Sequence, residues 1–282
     1  MKIIAVMNQK GGVGKTTTTV NLVAGLALHK KKVLLLDADL QANATTSLGL
    51  NPHTINSTPC DLFALLTNQC SLQQAILQRP VYNNSQKGSF HVIPATIALS
   101  GFDQLVRALP NKQLLLKQFL NNVYDYDYIF IDCPPSLGLL SINALVAANE
   151  VLIPVQPEFF GLQGVSQILE TINLLKKTLN QKLIINGIVC TRYNRRKIHQ
   201  EVYNCLQEKF GKAVLATKIY ENIALAEAPS YGKTIFEYDH LSIGAHDFDI
   251  LCREWLNREI SVENLKKENR TTEQKMNHKG LQ

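Results

Sequence analysis

Residues 8–19 read NQKGGVGKTTTT. The apolar run KIIAVMN (2–8) leads into them, and TTTTVNLVAGLALHK (16–30), with apolar residues at helical spacing, leads away. Strand, glycine-rich turn, lysine, threonine and helix is the order of a phosphate-binding loop, G-x-x-x-x-G-K-[ST]. Laid on Gly14-Lys15-Thr16, that template puts Gln9 in its first position and leaves Lys10 as a second cation beside the loop. Gly11, Gly12, Val13 and Gly14 let backbone N–H groups approach phosphate oxygens, and the helix beginning near Lys15 turns its positive end toward them. Lys15 is expected to neutralise the β- and γ-phosphates and Thr16 to hold Mg²⁺ through its hydroxyl, with Thr17 completing the loop.

Outward from the loop, short apolar runs alternate with longer helical patterns. The runs are KVLLLDAD (32–39), FHVIPA (90–95), YIFIDCPP (128–135), VLIPVQP (151–157), LIINGIVC (183–190) and AVLATKI (213–219). Each is apolar on both alternating faces, as strands covered by helices on both sides must be. The alternation predicts an α/β fold with a doubly wound, mostly parallel sheet. Residues 1–258 are expected to form one nucleotide-binding domain, and the polar stretch 259–282 a disordered tail with apolar residues too sparse for a membrane anchor.

Composition excludes several classes. The chain has 282 residues, 45% of them hydrophobic, enough for a full core. Its six cysteines include no C-x-x-C pair, which argues against a zinc site or a disulfide framework. No signal peptide and no apolar run of membrane-spanning length is visible, so a cytoplasmic protein is expected. The net charge of +6 is compatible with a nucleic-acid partner but does not by itself indicate one.

Carboxylates close two of the strands. Asp132 ends YIFID, beside the crevice where such sheets bind phosphates, and is placed to bind Mg²⁺ directly or through water. Asp37 and Asp39 end VLLLDAD two residues apart, on one face of an extended chain. One can face the metal or its waters, and the other can orient the attacking water.

KGGVGKTTT, LLLDADLQANATTSLGL, YIFIDCPPSLGLLSINAL and LAEAPSYGKTIFEYD, in this order, resemble the deviant P-loop ATPases of the ParA/Soj type, DNA-partitioning proteins related to MinD. The resemblance implies ATP and Mg²⁺ as cofactors and an ATP-dependent homodimer. It also implies non-specific double-stranded DNA and a ParB-type centromere-binding protein as partners, with activity at the nucleoid and not at a membrane. By resemblance, Lys10 reaches across the dimer to the partner subunit's ATP, Lys15 serves its own site, Asp39 is required for hydrolysis, and Tyr220 and Asn222 border the adenine. A MinD-like ATPase acting on membrane or division proteins is the alternative. An electron-transfer protein like the nitrogenase iron protein would need paired cysteines, a role to which Cys133 in DCPP is poorly suited.

The chain also departs from its relatives. It reads DLQAN (39–43) where they often read DPQGN, and YENIALAEAPS (220–230) where they often carry arginines, so Glu221 and Ala224 replace positive side chains. The densest basic cluster is TRYNRRKIH, with Arg192, Arg195, Arg196 and Lys197 between a predicted strand and helix. Together with Lys218 these are the candidate DNA contacts, binding phosphates without reading sequence.

Overall fold

The computed structural model describes residues 1–51 and 60–258. Among these, one sheet contains β1 (Lys2–Val6), β2 (Val33–Asp37), β3 (Leu77–Tyr82), β4 (Lys87–Ile93), β5 (Tyr128–Asp132), β6 (Glu150–Val155), β7 (Ile184–Tyr193) and β8 (Val214–Tyr220), in the order β3-β4-β2-β5-β1-β6-β7-β8. All neighbours pair parallel except β3 with β4. β2, β5 and β6 are buried at every position, which is why their sequences do not alternate.

β3 is the strand that the apolar runs do not reveal. Its sequence, LQRPVY, alternates in exposure and contains Pro80, which cannot donate to a ladder. Such a segment is tolerated only at an edge, and β3 is the outermost strand.

Alternate side chains of the strands build two cores. On one face Ile3, Leu34, Leu36, Ile129 and Ile131 pack with Leu145, Ile168 and Val202, which belong to three helices numbered below. On the other face Ile4, Val6, Leu35 and Phe130 pack with Leu22, Leu26, Leu251 and Trp255. The helices concerned are α1 (Lys15–Leu28), α2 (Asn43–Ser47), α3 (Leu139–Ala147), α4 (Phe159–Thr178), α5 (Lys197–Phe210) and α6 (residues 243–258). α1 and α6 approach so closely that a Cβ on Gly25 would lie 2.3 Å from Cys252 Sγ. A mid-helix glycine, ordinarily worse than alanine by about 1 kcal/mol, is the residue that this contact admits.

The chain runs from β1 to β2 on one side of the sheet and later from β1's other neighbour, β6, to β7 and β8 on the other side. The glycine-rich loop therefore leaves β1 where strand order reverses, the crevice that binds ligands in open α/β sheets. The stretch expected to be a disordered tail, 259–282, lies outside the described residues.

Candidate nucleotide site

Strand register assembles the carboxylates. Asp37 and Asp132 are paired residues at the ends of β2 and β5, and Val6 pairs with Asp132 from the other side. Asp132 accepts hydrogen bonds from Thr16 Oγ1 at 2.7 Å and Thr19 Oγ1 at 2.9 Å. Asp37 accepts from the N–H and hydroxyl of Thr45 at 2.8 and 2.7 Å, and from the N–H of Asp39 at 3.2 Å. Both carboxylates are fully buried. Burial pushes Asp37 up to about 6; burial and then the charge of Asp37 push Asp132 up to about 7. Two buried carboxylates that share a crevice with a hydroxyl are a donor set suited to a hard divalent cation.

Asp39 is buried beside them, its carboxylate accepting the Gln41 N–H at 3.0 Å. Three residues later Ala42 takes the left-handed conformation, φ 51° and ψ 35°, to open α2. Glycine enters that conformation freely, whereas a residue with a Cβ pays about 1–2 kcal/mol there.

The loop's own geometry follows from its glycines. Gly12 and Gly14 have φ of +74° and +82°, the region that glycine enters freely. Gly14 precedes α1 without any side-chain cap, leaving first-turn N–H groups for a ligand. From β7, Thr191 donates to the Val13 carbonyl at 2.7 Å and holds the loop from behind. Lys15 is buried and reaches the Lys10 carbonyl at 3.3 Å. Burial pulls its pKa below the usual lysine range, against the attraction of Asp132 and Asp39. Lys10 pairs instead with Glu158, just before α4, at 3.2 Å.

Beside the loop, a cavity of about 480 Å³ is lined by Gly12, Gly14, Thr17, Thr18, Tyr220, Asn222 and Phe248, among others. Asn222 Oδ1 and Thr18 Oγ1 are buried with no hydrogen-bond partner. Orphaned buried polar atoms are costly, and at a cavity wall they indicate a polar ligand. Asp247 of α6 accepts the Tyr220 N–H at 2.8 Å and fixes the turn that presents Asn222.

Comparison with known proteins places the chain in a family. A family described as "AAA domain" matches residues 1–185. The sporulation initiation inhibitor protein Soj of Bacillus subtilis is 44% identical over 255 residues, 90% of this chain and 97% of its own. The chromosome-partitioning ATPase Soj of Treponema pallidum is 42% identical over 260 residues, 92% of this chain and 98% of its own. The chain belongs to the ParA/Soj family of P-loop ATPases. Among solved structures, cobyrinic acid a,c-diamide synthase from Mycobacterium smegmatis, with bound ADP and magnesium, superposes with a TM-score of 0.77 at 29% identity, covering 92% of this chain and 96% of that one.

In this ParA/Soj chain the basic candidates differ in what they touch. Arg192 lines the cavity and pairs with Glu221 at 3.0 Å, which offsets its charge. Lys218, on the edge strand β8, lies 4.7 and 3.9 Å from the ring centroids of Tyr193 and Tyr203. Lys197 pairs with Glu201 at 3.6 Å. Arg195 and Arg196 are exposed at the start of α5.

Several residues of the site escape a linear reading. Thr19 could have been found, since it lies three residues after Thr16 on the same helix face. Thr45, Glu158, Thr191 and Asp247 carry no local signal, because their partners are between 8 and 178 residues away.

Proposed function

We propose that this protein is a cytoplasmic, nucleoid-associated ATPase that binds Mg²⁺ and ATP, dimerises on ATP, binds double-stranded DNA without reading its sequence, and segregates chromosome or plasmid DNA. A ParB-type partner stimulates its otherwise slow hydrolysis. The observation that carries the reading is the convergence of the half-buried Thr16 with the fully buried Asp37 and Asp132 at the mouth of the glycine loop.

In this reading residues 10–17 cradle the phosphates, Lys15 neutralises them, and Tyr220 and Asn222 border the adenine, with Asn222 Oδ1 available to its exocyclic amine. Thr16, Asp37 and Asp132 would hold Mg²⁺, which when bound neutralises charge developing on the phosphates. Asp39 orients the attacking water, and Lys10 is supplied across the dimer, in the manner of an arginine finger. Protein groups fixed in a dry crevice act on that charge without reorganising, which is why such sites accelerate phosphoryl transfer mainly by position.

For DNA, Arg195 and Arg196 support the reading best. Arg195, Arg196 and Lys197 crowd the N-terminal end of α5, where the helix dipole disfavours cations by about 0.3–1 kcal/mol each. A bound phosphate backbone would offset that cost. The testing experiment compares ATP hydrolysis and DNA gel shifts with ATP, ADP and no nucleotide. ATP-specific shifts support the reading, and a chain that neither hydrolyses ATP nor shifts DNA with it refutes it.

A further inference from the structure

Arg79 sits on β3, the edge strand, and its side chain is only 14% exposed. Its guanidinium donates to the carbonyl of Pro80 on its own strand and grips two other segments. Nε donates to the Leu48 carbonyl at 3.1 Å, and Nη2 to the Gly232 carbonyl at 3.0 Å. Nη1 and Nη2 form a bidentate pair with Glu237 at 3.1 and 3.2 Å. Glu237 is 2% exposed and in turn accepts from the N–H and hydroxyl of Thr234 at 3.0 and 2.9 Å. A rigid planar fork suits this task; a lysine has one ammonium and cannot serve acceptors spread over so wide an arc.

The gripped segments matter. Leu48 ends α2, the helix that follows Asp39 and whose Thr45 holds Asp37. Gly232 follows the stretch 220–231 that turns away from the base cavity. At this junction the two backbones touch: a Cβ on Gly49 would lie 3.2 Å from the Gly232 carbonyl oxygen, and one on Gly232 would lie 2.5 Å from Gly49 Cα. A buried ion pair of this kind contributes little net stability compared with an apolar replacement, so what it supplies is geometry.

We propose that Arg79 is a positioning residue for hydrolysis: it fixes the segment carrying Asp37 and Asp39 against the segment that shapes the base cavity. The proposal rests on the ATPase reading. It acts through the backbone of Leu48 and Gly232 and touches no nucleotide.

The informative variant is Arg79→Lys, which keeps Glu237 paired but releases the carbonyls. Misplacing a reacting group by a fraction of its reach costs tenfold or more, so kcat is expected to fall at least about tenfold. Affinity for a fluorescent ATP analogue should stay within about threefold of the unaltered chain, because the phosphate loop is untouched. A purely structural role gives the opposite split, a lower melting temperature with unchanged kcat per folded molecule, and that result overturns the inference. If Arg79→Lys folds poorly, Gly49→Ala, strained also by its φ of +73° and therefore read as kcat per folded molecule, provides the second route by pushing the same two backbones apart while leaving the Arg79 side chain unaltered. The same loss of kcat with retained affinity is expected, and unchanged kcat overturns the proposal. The unaltered chain is assayed in parallel: no ATP hydrolysis there removes the ATPase reading and this inference with it, whereas hydrolysis that both variants leave intact removes the inference alone.

Discussion

Lys10 Nζ lies 3.2 Å from Glu158 Oε2 of its own chain. The lysine that the family resemblance sends to a partner subunit is thus held at home, by a carboxylate just before α4. Their side chains are 34% and 43% exposed, and so exposed a pair contributes about 1 kcal/mol or less. A contact that weak restrains Lys10 without locking it.

Glu158→Gln should therefore favour the dimer. Removing a restraint of up to about 1 kcal/mol per subunit should strengthen the proposed ATP-dependent dimerisation by up to roughly fivefold per released lysine. Sedimentation across a concentration series with ATP measures it, and an unchanged dimerisation constant would show that the pair does not oppose assembly.

Mixing two inactive variants tests the trans role of Lys10. In a heterodimer of Lys10→Ala with Asp39→Ala, the site of the Lys10→Ala subunit keeps its own Asp39 and receives Lys10 from the partner. The other site lacks both. With equal mixing about half the dimers are mixed, each with one working site, so activity should return to roughly a quarter of the unaltered level. Activity no higher than either variant alone, in a mixture shown by sedimentation to contain heterodimers, rules the trans role out.

Asp39→Ala should bind ATP and dimerise yet lose hydrolysis by about a hundredfold or more. Asp39 is not among the residues that hold Thr16 or the loop, and Asp37 keeps its bonds from Thr45. An ATP-loaded dimer should accumulate, as read by size-exclusion chromatography. Hydrolysis at the unaltered rate transfers the role to Asp37.

Replacing Arg195 and Arg196 together by Glu should weaken DNA binding and flatten its salt dependence. Each lost phosphate contact lowers the log–log slope by roughly 0.9, while basal ATP hydrolysis is retained. A salt titration with unchanged slope would mark these arginines as a solvated turn. Arg192→Ala should have less effect, because Glu221 already pairs with Arg192.

The parts that could be read from the chain were those with a local cause. GGVGKTT announces its loop because glycine's freedom and the helix N-terminus act over a few neighbouring residues. The doubly covered strands announce themselves because burial on two faces forces a continuous apolar run. β3 escaped, since an edge strand needs neither an apolar run nor a complete set of donors, and its Pro80 reads as a break.

The alternation of strand and helix, the glycine-rich loop, and the strand-end positions of Asp37 and Asp132 follow from local pattern in the chain. Their company came with the closed sheet: Asp37 beside Asp132 through the register of β2 and β5, Lys10 against Glu158, and Arg79 across Leu48, Gly232 and Glu237. Those partners are up to 158 residues apart, as with Arg79 and Glu237. Local propensity acts over a turn or two of chain, whereas contacts at such separations exist only once the sheet has closed its register and both faces have been buried.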